Sequence, residues 1–209
     1  MTIRPTYRSG IIGLAALAGM CGALPARANL ITNGDFETGT LSSWMTAGNV
    51  GVARLPYFGL SEPTYGNYSA AFNGGDSTPN GVLSQIIPTI SGMNYTIELN
   101  YADNAYASKY SKSITVSAQT TDGQLLSSKS ISSGSPTQPY SLDFTAIANN
   151  TVISFTDNLG NDTYSHDGLI DNVSVTSVPE PSSLALLVFG AAGVVTMRRR
   201  GFNTNGLNF

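Results

Sequence analysis

The stretch "NYTIELNY", Asn94 to Tyr101, decides the fold class. Tyr95, Ile97, Leu99 and Tyr101 fall on one face and the polar residues fall on the other. A period of two over eight residues is the mark of a half-buried β-strand. Working outward, similar segments recur between clusters of Gly, Asn, Asp, Ser and Pro. They are "SAAF" (Ser69 to Phe72), "GVLSQII" (Gly81 to Ile87), "SITVSAQT" (Ser113 to Thr120), "YSLDFTA" (Tyr140 to Ala146), "TVISFTD" (Thr151 to Asp157) and "LIDNVSVTSV" (Leu169 to Val178). In "SITVSAQT", Ile114, Val116 and Ala118 share a face, and "TTDGQ" after it has the Asp-Gly pair of a hairpin turn. No sustained 3.6-residue apolar period runs from Asn29 to Ser177. Many short strands at close spacing predict an all-β body, a sandwich or jelly roll.

The two flanks differ from this body. The chain of 209 residues opens with Arg4 and Arg8, an uncharged apolar run from Ile11 to Leu24, and the small-x-small triplet Ala26-Arg27-Ala28. That is the build of a secretory signal peptide, residues 1–28, with signal peptidase cutting after Ala28. The one cysteine, Cys21, lies in this segment behind Met20, which does not suit lipidation. The exported part is then thiol-free, so neither disulfides nor cysteine metal sites are expected in it. Between Asn29 and Val178 twelve acids face four bases, a net charge of −8. That balance excludes a phosphate-backbone binder, so no nucleic-acid partner is expected, and it suits oxygen ligation of a cation.

At the other flank stands "VPEPSSLALLVFGAAGVVTMRRRGF", Val178 to Phe202. Leu184 to Met197 is 14 residues without a charge, roughly 21 Å of helix against a bilayer core of about 30 Å. A single transmembrane helix over 182–197 is short but feasible, with Arg198, Arg199 and Arg200 holding the last residues, 202–209, on the cytoplasmic side. From composition the segment reads as a membrane anchor or a processed tail. Its order of Pro179-Glu180-Pro181, apolar helix and arginine cluster resembles the PEP-CTERM sorting signal over 178–201. The resemblance implies a Gram-negative, exopolysaccharide-producing host. It implies an exosortase-type membrane protease that recognises Pro179, Glu180 and Pro181, and an inner-membrane-anchored precursor that passes to the cell surface or extracellular matrix.

The body carries a second resemblance. "NLITNGDFETGTLSSW", Asn29 to Trp44, is similar to the first strand and turn of galactose-binding-like jelly rolls, as in many carbohydrate-binding modules. "LSQIIPTISGMNYTIELNY", "YSLDFTAIANNTVISFTDN" and "GLIDNVSV" follow in that family's order, so the likeness covers nearly all of 29–177. Trp44 is expected in the core. In "LIDNVSV", alternation puts Leu169, Asp171, Val173 and Val175 on one face, the more apolar one, so Asp171 is expected on the core side. A buried carboxylate there needs a cation or several donors. In the family the first and last strands lie close, and many relatives hold a structural calcium between them. The resemblance thus implies one Ca²⁺ on Glu37 and Asp171, with Asp35 and the Gly34 carbonyl. The alternative is a solvated Asp171 at the strand edge and a Glu37 that caps a turn.

An active site is not evident. His166 is the only histidine, in a polar loop, and there is no Gly-x-Ser-x-Gly elbow. Asp157, Asp162 and Asp167 read as solvated or as a second weak cation site. Sugar binding is the better candidate, since planar aromatics stack on pyranose faces while amides and carboxylates bond the hydroxyls. Tyr65, Tyr68, Tyr106 and Tyr110 are the expected contacts, the last two in "YADNAYASKYSKS". The expected function is a non-catalytic envelope or matrix protein that binds exopolysaccharide or another glycan. The alternatives are a purely structural surface protein and a polysaccharide-active hydrolase.

Overall fold

A computed structural model describes residues 27–56, 66–74, 78–102, 112–133, 138–161 and 168–178. Residues 1–26 of the signal segment, the Pro-Glu-Pro motif with Arg198, Arg199 and Arg200, and Tyr65, Tyr106, Tyr110 and His166 lie outside the described residues. Among the described residues no helix is long and apolar enough to cross a membrane.

Ten strands form: β1 (Met45–Ala47), β2 (Val50–Arg54), β3 (Tyr68–Phe72), β4 (Val82–Pro88), β5 (Asn94–Ala102), β6 (Lys112–Gln119), β7 (Leu125–Ser133), β8 (Gln138–Thr145), β9 (Asn150–Asp157) and β10 (Gly168–Ser177). They build two five-stranded sheets, ordered β1-β4-β9-β6-β7 and β2-β3-β10-β5-β8, and every pairing is antiparallel. This is the jelly-roll sandwich expected from the alternation. The inward sets meet in one core: Tyr95, Ile97, Leu99 and Tyr101 from β5, Ile114, Val116 and Ala118 from β6, and Ile153 and Phe155 from β9. The Asp-Gly turn forms as expected, with Gly123 N–H donating to the Thr120 carbonyl at 3.0 Å.

Two expectations need correction. First, Asn29 to Trp44 is no strand. It is an irregular segment with left-handed backbone at Asn33, Phe36 and Ser43. It still runs beside β10: Leu30 N–H donates to the Val175 carbonyl and Val173 N–H to the Gly34 carbonyl, both at 2.9 Å. Gln85 on β4 pairs with both backbone groups of Thr32, at 2.8 and 3.0 Å. The segment therefore stitches one sheet to the other, and it drops Ile31, Phe36 and Trp44 into the core.

Second, Leu169, Asp171, Val173 and Val175 do not share a face. β10 carries a bulge: Asp171 faces Asn100 and Ser174 faces Glu98, so three steps on β10 match two on β5. Asn172 supplies the extra residue in a left-handed conformation, φ 50°, which asparagine tolerates better than most residues. The alternation slips by one there. Ile170 joins Val173 and Val175 in the main core, while Leu169 packs with Ala53, Ala71 and Ala102 on the opposite face. Asp171 lies on that opposite face with Asn100 and is buried all the same.

The N-terminal segment crosses β10 closely. A Cβ on Gly34 would lie 2.1 Å from the Val173 carbonyl oxygen, which is backbone and cannot swing away. Gly34→Ala is expected to push the segment off β10 and to cost about 1–3 kcal/mol, the usual overpacking range. Thermal unfolding of the variant checks this.

The connections sort into two ends. Segments 28–30, 89–93, 120–124 and 146–149 and residues 177–178 gather at one end. Residues 48–49, the strand ends Ala102 and Lys112, and Leu159 sit at the other. At that far end Asn161 accepts from the Ser113 N–H at 2.8 Å and donates to the Ser113 carbonyl at 2.7 Å. Asp157, read with Asp162 and Asp167 as solvated or as a weak cation site, is not solvated: it is buried and accepts from the Asn161 amide, while Asp162 and Asp167 lie outside the described residues.

Candidate functional site

The unusual chemistry of the described body centres on Asp171. Its Oδ1 accepts the Asn172 N–H at 2.6 Å. Its Oδ2 is buried and has no hydrogen-bond partner among the described residues. Burial pushes the carboxyl up to about 8, and the charges of Glu37 and Asp35 push the same way against the Asn172 bond. A buried carboxylate in this state is costly unless a proton or a cation neutralises it.

Ser69 shares the predicament. It is buried, and its Oγ also lacks a partner among the described residues. Continuing the β10–β3 register (Gly168 with Phe72, Leu169 with Ala71, Ile170 with Ala70) by one step sets Ser69 across from Asp171. Two orphaned oxygens thus occupy neighbouring positions on one sheet face. Ser69 escaped the sequence reading because "SAAF" shows only a small polar residue beside apolar ones, and the cross-strand neighbour is invisible without the register.

Glu37 approaches from the irregular segment. Its Oε1 accepts the N–H groups of Asn67 and Tyr68 at 2.7 and 3.0 Å, and Oε2 accepts the Asn67 amide at 3.0 Å. The Tyr68 backbone bond, then the Asn67 side chain, hold this carboxyl below the usual range. Glu37 therefore caps the start of β3. One oxygen still carries only a single bond, so capping does not use up its capacity. Gly66 is required beside it: its φ is +57°, and a Cβ there would sit 2.4 Å from Oε1. Asp35 is exposed and takes only a long 3.4 Å contact from the Glu37 N–H. Gly34, Asp35, Asn172 and Val173 line one cleft between the segment and β10. Among the described residues no three of Asp, Glu, His and Cys converge into a metal-binding group. An ion here would draw on one or two carboxylates with carbonyl, hydroxyl and water oxygens, as calcium does in its shell of about six to eight oxygens.

Of the aromatic candidates, Tyr68 is described. It is half-buried at the start of β3, and its ring lies over Gly39, 3.2 Å from where a Cβ would stand. Trp44 is a core residue, stacked on Phe36 at 5.6 Å and edge-on to Phe155 at 6.0 Å, with Nε1 donating to the Asn33 carbonyl at 2.9 Å. A separate polar groove on the β5–β8–β10 face is lined by Glu98, Asn100, Tyr140, Ser141 and Asn172.

This architecture is the jelly roll found in carbohydrate-binding modules. The structure of TmCBM61 in complex with β-1,4-galactotriose is similar at TM-score 0.52 and 17% identity, over 72% of this chain and 99% of that one. The CBM22-1 xylan-binding domain of Paenibacillus barcinonensis Xyn10C is similar at TM-score 0.50 and 14% identity, over 76% and 100%. The enzymatically active domain of tailspike protein 4 from bacteriophage CBA120 is similar at TM-score 0.52 and 13% identity, over 72% of this chain but 21% of that one. At these identities the likeness establishes the fold. No curated protein matches the sequence. The family model described as protein of unknown function (DUF642) matches residues 68–176, and the chain belongs to that family. The PEP-CTERM protein-sorting motif matches residues 177–200, directly after the closing strand, and marks an exported, sorted protein.

Proposed function

We propose that this is a non-catalytic glycan-binding protein of the envelope or matrix of a Gram-negative bacterium. Signal peptidase removes residues 1–28. The span at 182–197 then holds the precursor in the inner membrane with Arg198, Arg199 and Arg200 inside. An exosortase-type protease acts at Pro179-Glu180-Pro181 and releases the body to the surface or matrix. The observation that carries this reading is the pairing of a carbohydrate-binding-module fold with a sorting motif that begins where β10 ends.

The body binds exopolysaccharide or another glycan through tyrosines, with Tyr106 and Tyr110 as the main platforms and Tyr65 and Tyr68 as further contacts. The bracketing strand ends, Ala102 and Lys112, belong to the far end of the sandwich, away from Val178. One structural Ca²⁺ sits on Asp171 and Glu37, with Asp35, the Gly34 carbonyl and Ser69 available to complete its shell. The orphaned Oδ2 of Asp171 supports it. The ion neutralises a buried charge and ties the N-terminal segment to β10. Retardation of the released body in gels containing the host polysaccharide tests the binding. Tyr106→Ala and Tyr110→Ala should each weaken it about tenfold, or ~1.4 kcal/mol. Unretarded wild type would favour a purely structural matrix protein. Turnover of the polysaccharide that is lost in acid-to-amide variants would favour a hydrolase.

A further inference from the structure

We propose that the end of the sandwich bearing Ile90, Met93 and Ile147 is a foot that rests on the lipid surface while the tail is embedded. This inference rests on the anchored-precursor reading above. Both flanking segments leave the body at this end. Val178 N–H donates to the Asn94 carbonyl at 2.7 Å, and Ala28 and Ser177 line one depression with Leu30, Pro88, Ile90 and Met93.

The tether is short. Four peptide units separate Val178 from Ser182, where the span begins, a reach of at most about 14 Å when fully extended. The headgroup layer takes up about 5–8 Å of that, so the foot stands at the membrane surface.

Its chemistry suits that place. Ile90 is 64% exposed and Ile147 47%, and the segments 89–93, 120–124 and 146–149 carry Asp122 as their one charge. The two isoleucines sit on cross-linked turns. Thr89 N–H donates to the Asn149 carbonyl at 2.9 Å, Gly92 N–H to the Ala146 carbonyl at 2.7 Å and Ala146 N–H to the Met93 carbonyl at 3.0 Å. The Thr89 hydroxyl donates to the Ala148 carbonyl at 2.9 Å, and the Tyr95 hydroxyl accepts the Ile90 N–H at 2.9 Å. Single exposed apolar residues are ordinary on proteins. A rigid, nearly uncharged pair beside both exits, held by a tether this short, is a surface built for an interface between water and hydrocarbon.

The test uses the tail-bearing protein with Cys21→Ser, reconstituted in phosphatidylethanolamine–phosphatidylglycerol vesicles. Single cysteines at Ile90→Cys, Ile147→Cys, Leu159→Cys and Ala191→Cys carry an environment-sensitive dye, and nitroxide-bearing lipids act as quencher. Leu159 is 81% exposed at the far end. The expected result is loss of emission at positions 90, 147 and 191 and none at 159. Quenching at 191 with 90 and 147 as wet as 159 overturns the foot alone. A blue shift at 90 without lipid quenching means that a protein surface covers it, and overturns the foot too. An unquenched 191 overturns the anchored precursor and the foot with it.

Discussion

Calcium at about a hundredfold over its dissociation constant should raise the melting temperature of the body by roughly 5–11 °C. The increment follows from ligand linkage, about 2.7 kcal/mol at that excess, and from the ~2–4 °C per kcal/mol typical of domains of this size. Extracellular calcium modules bind with constants of about 10⁻⁴–10⁻³ M, so a hundredfold excess is about 10–100 mM calcium. Asp171→Asn should abolish the response. It should also leave the calcium-free protein more stable than wild type at pH 8, because it removes a buried charge whose Oδ2 has no partner among the described residues. A wild type with no calcium response, or an unaltered response in Asp171→Asn, would refute the site.

The same carboxyl sets a pH dependence with a definite sign. In the fold Asp171 is pushed up to about 8 from an ordinary 3.8, chiefly by burial. A raised carboxyl stabilises the fold through its proton. Without calcium that contribution is full below about pH 4, declines as pH rises and is gone above about pH 8. Calcium replaces the proton, so its increment should be larger at pH 8 than at pH 6. Melting curves with and without chelator at the two values measure the difference, and Asp171→Asn should flatten it.

Trp44→Ala should cost about 3–5 kcal/mol, the range for losing a buried large aromatic, and lower the melting temperature by roughly 6–20 °C. Trp44 is stacked on Phe36, meets Phe155 edge-on and anchors the irregular segment through the Asn33 carbonyl. The variant would lose ring contacts and the lid they hold in place. Trp44→Phe should keep most of the packing and forfeit about 1 kcal/mol for the indole bond. Its glycan affinity should be unchanged, since the ring is no sugar platform. Calorimetry and gel retardation on the same samples separate the two roles.

The all-β architecture was legible because seven strands read as short apolar-bearing segments between turn residues, and β5 alternates without interruption over eight residues. Three strands were not legible. β1 is three residues long, β2 reads "VGVAR", and β7 reads "LLSSKSISS", a serine-rich edge strand with little apolar contrast. The segment from Asn29 to Trp44 reads, through its resemblance, as a first strand and turn, yet left-handed backbone at Asn33, Phe36, Gly39 and Ser43 breaks the extended path. Of the site, Asp171 and Glu37 were legible as acids beside the first and last segments. Their environments were not. Glu37 is held by backbone donors of Asn67 and Tyr68, some 30 residues away in sequence, and the burial of Asp171 on the outer sheet face depends on a bulge that one aspartate-asparagine pair does not announce.

That bulge makes the closing strand a two-part device. Its upper half is read in one phase and its lower half in the other, so a single inserted residue lets one ribbon serve the hydrophobic interior below and present a lone acid outward above. Were the strand to straighten with Asn172 retained, Asp171, Val173 and Val175 would fall on one face, turning the acid inward or the valines to water. The strand is transferable only with its bulge.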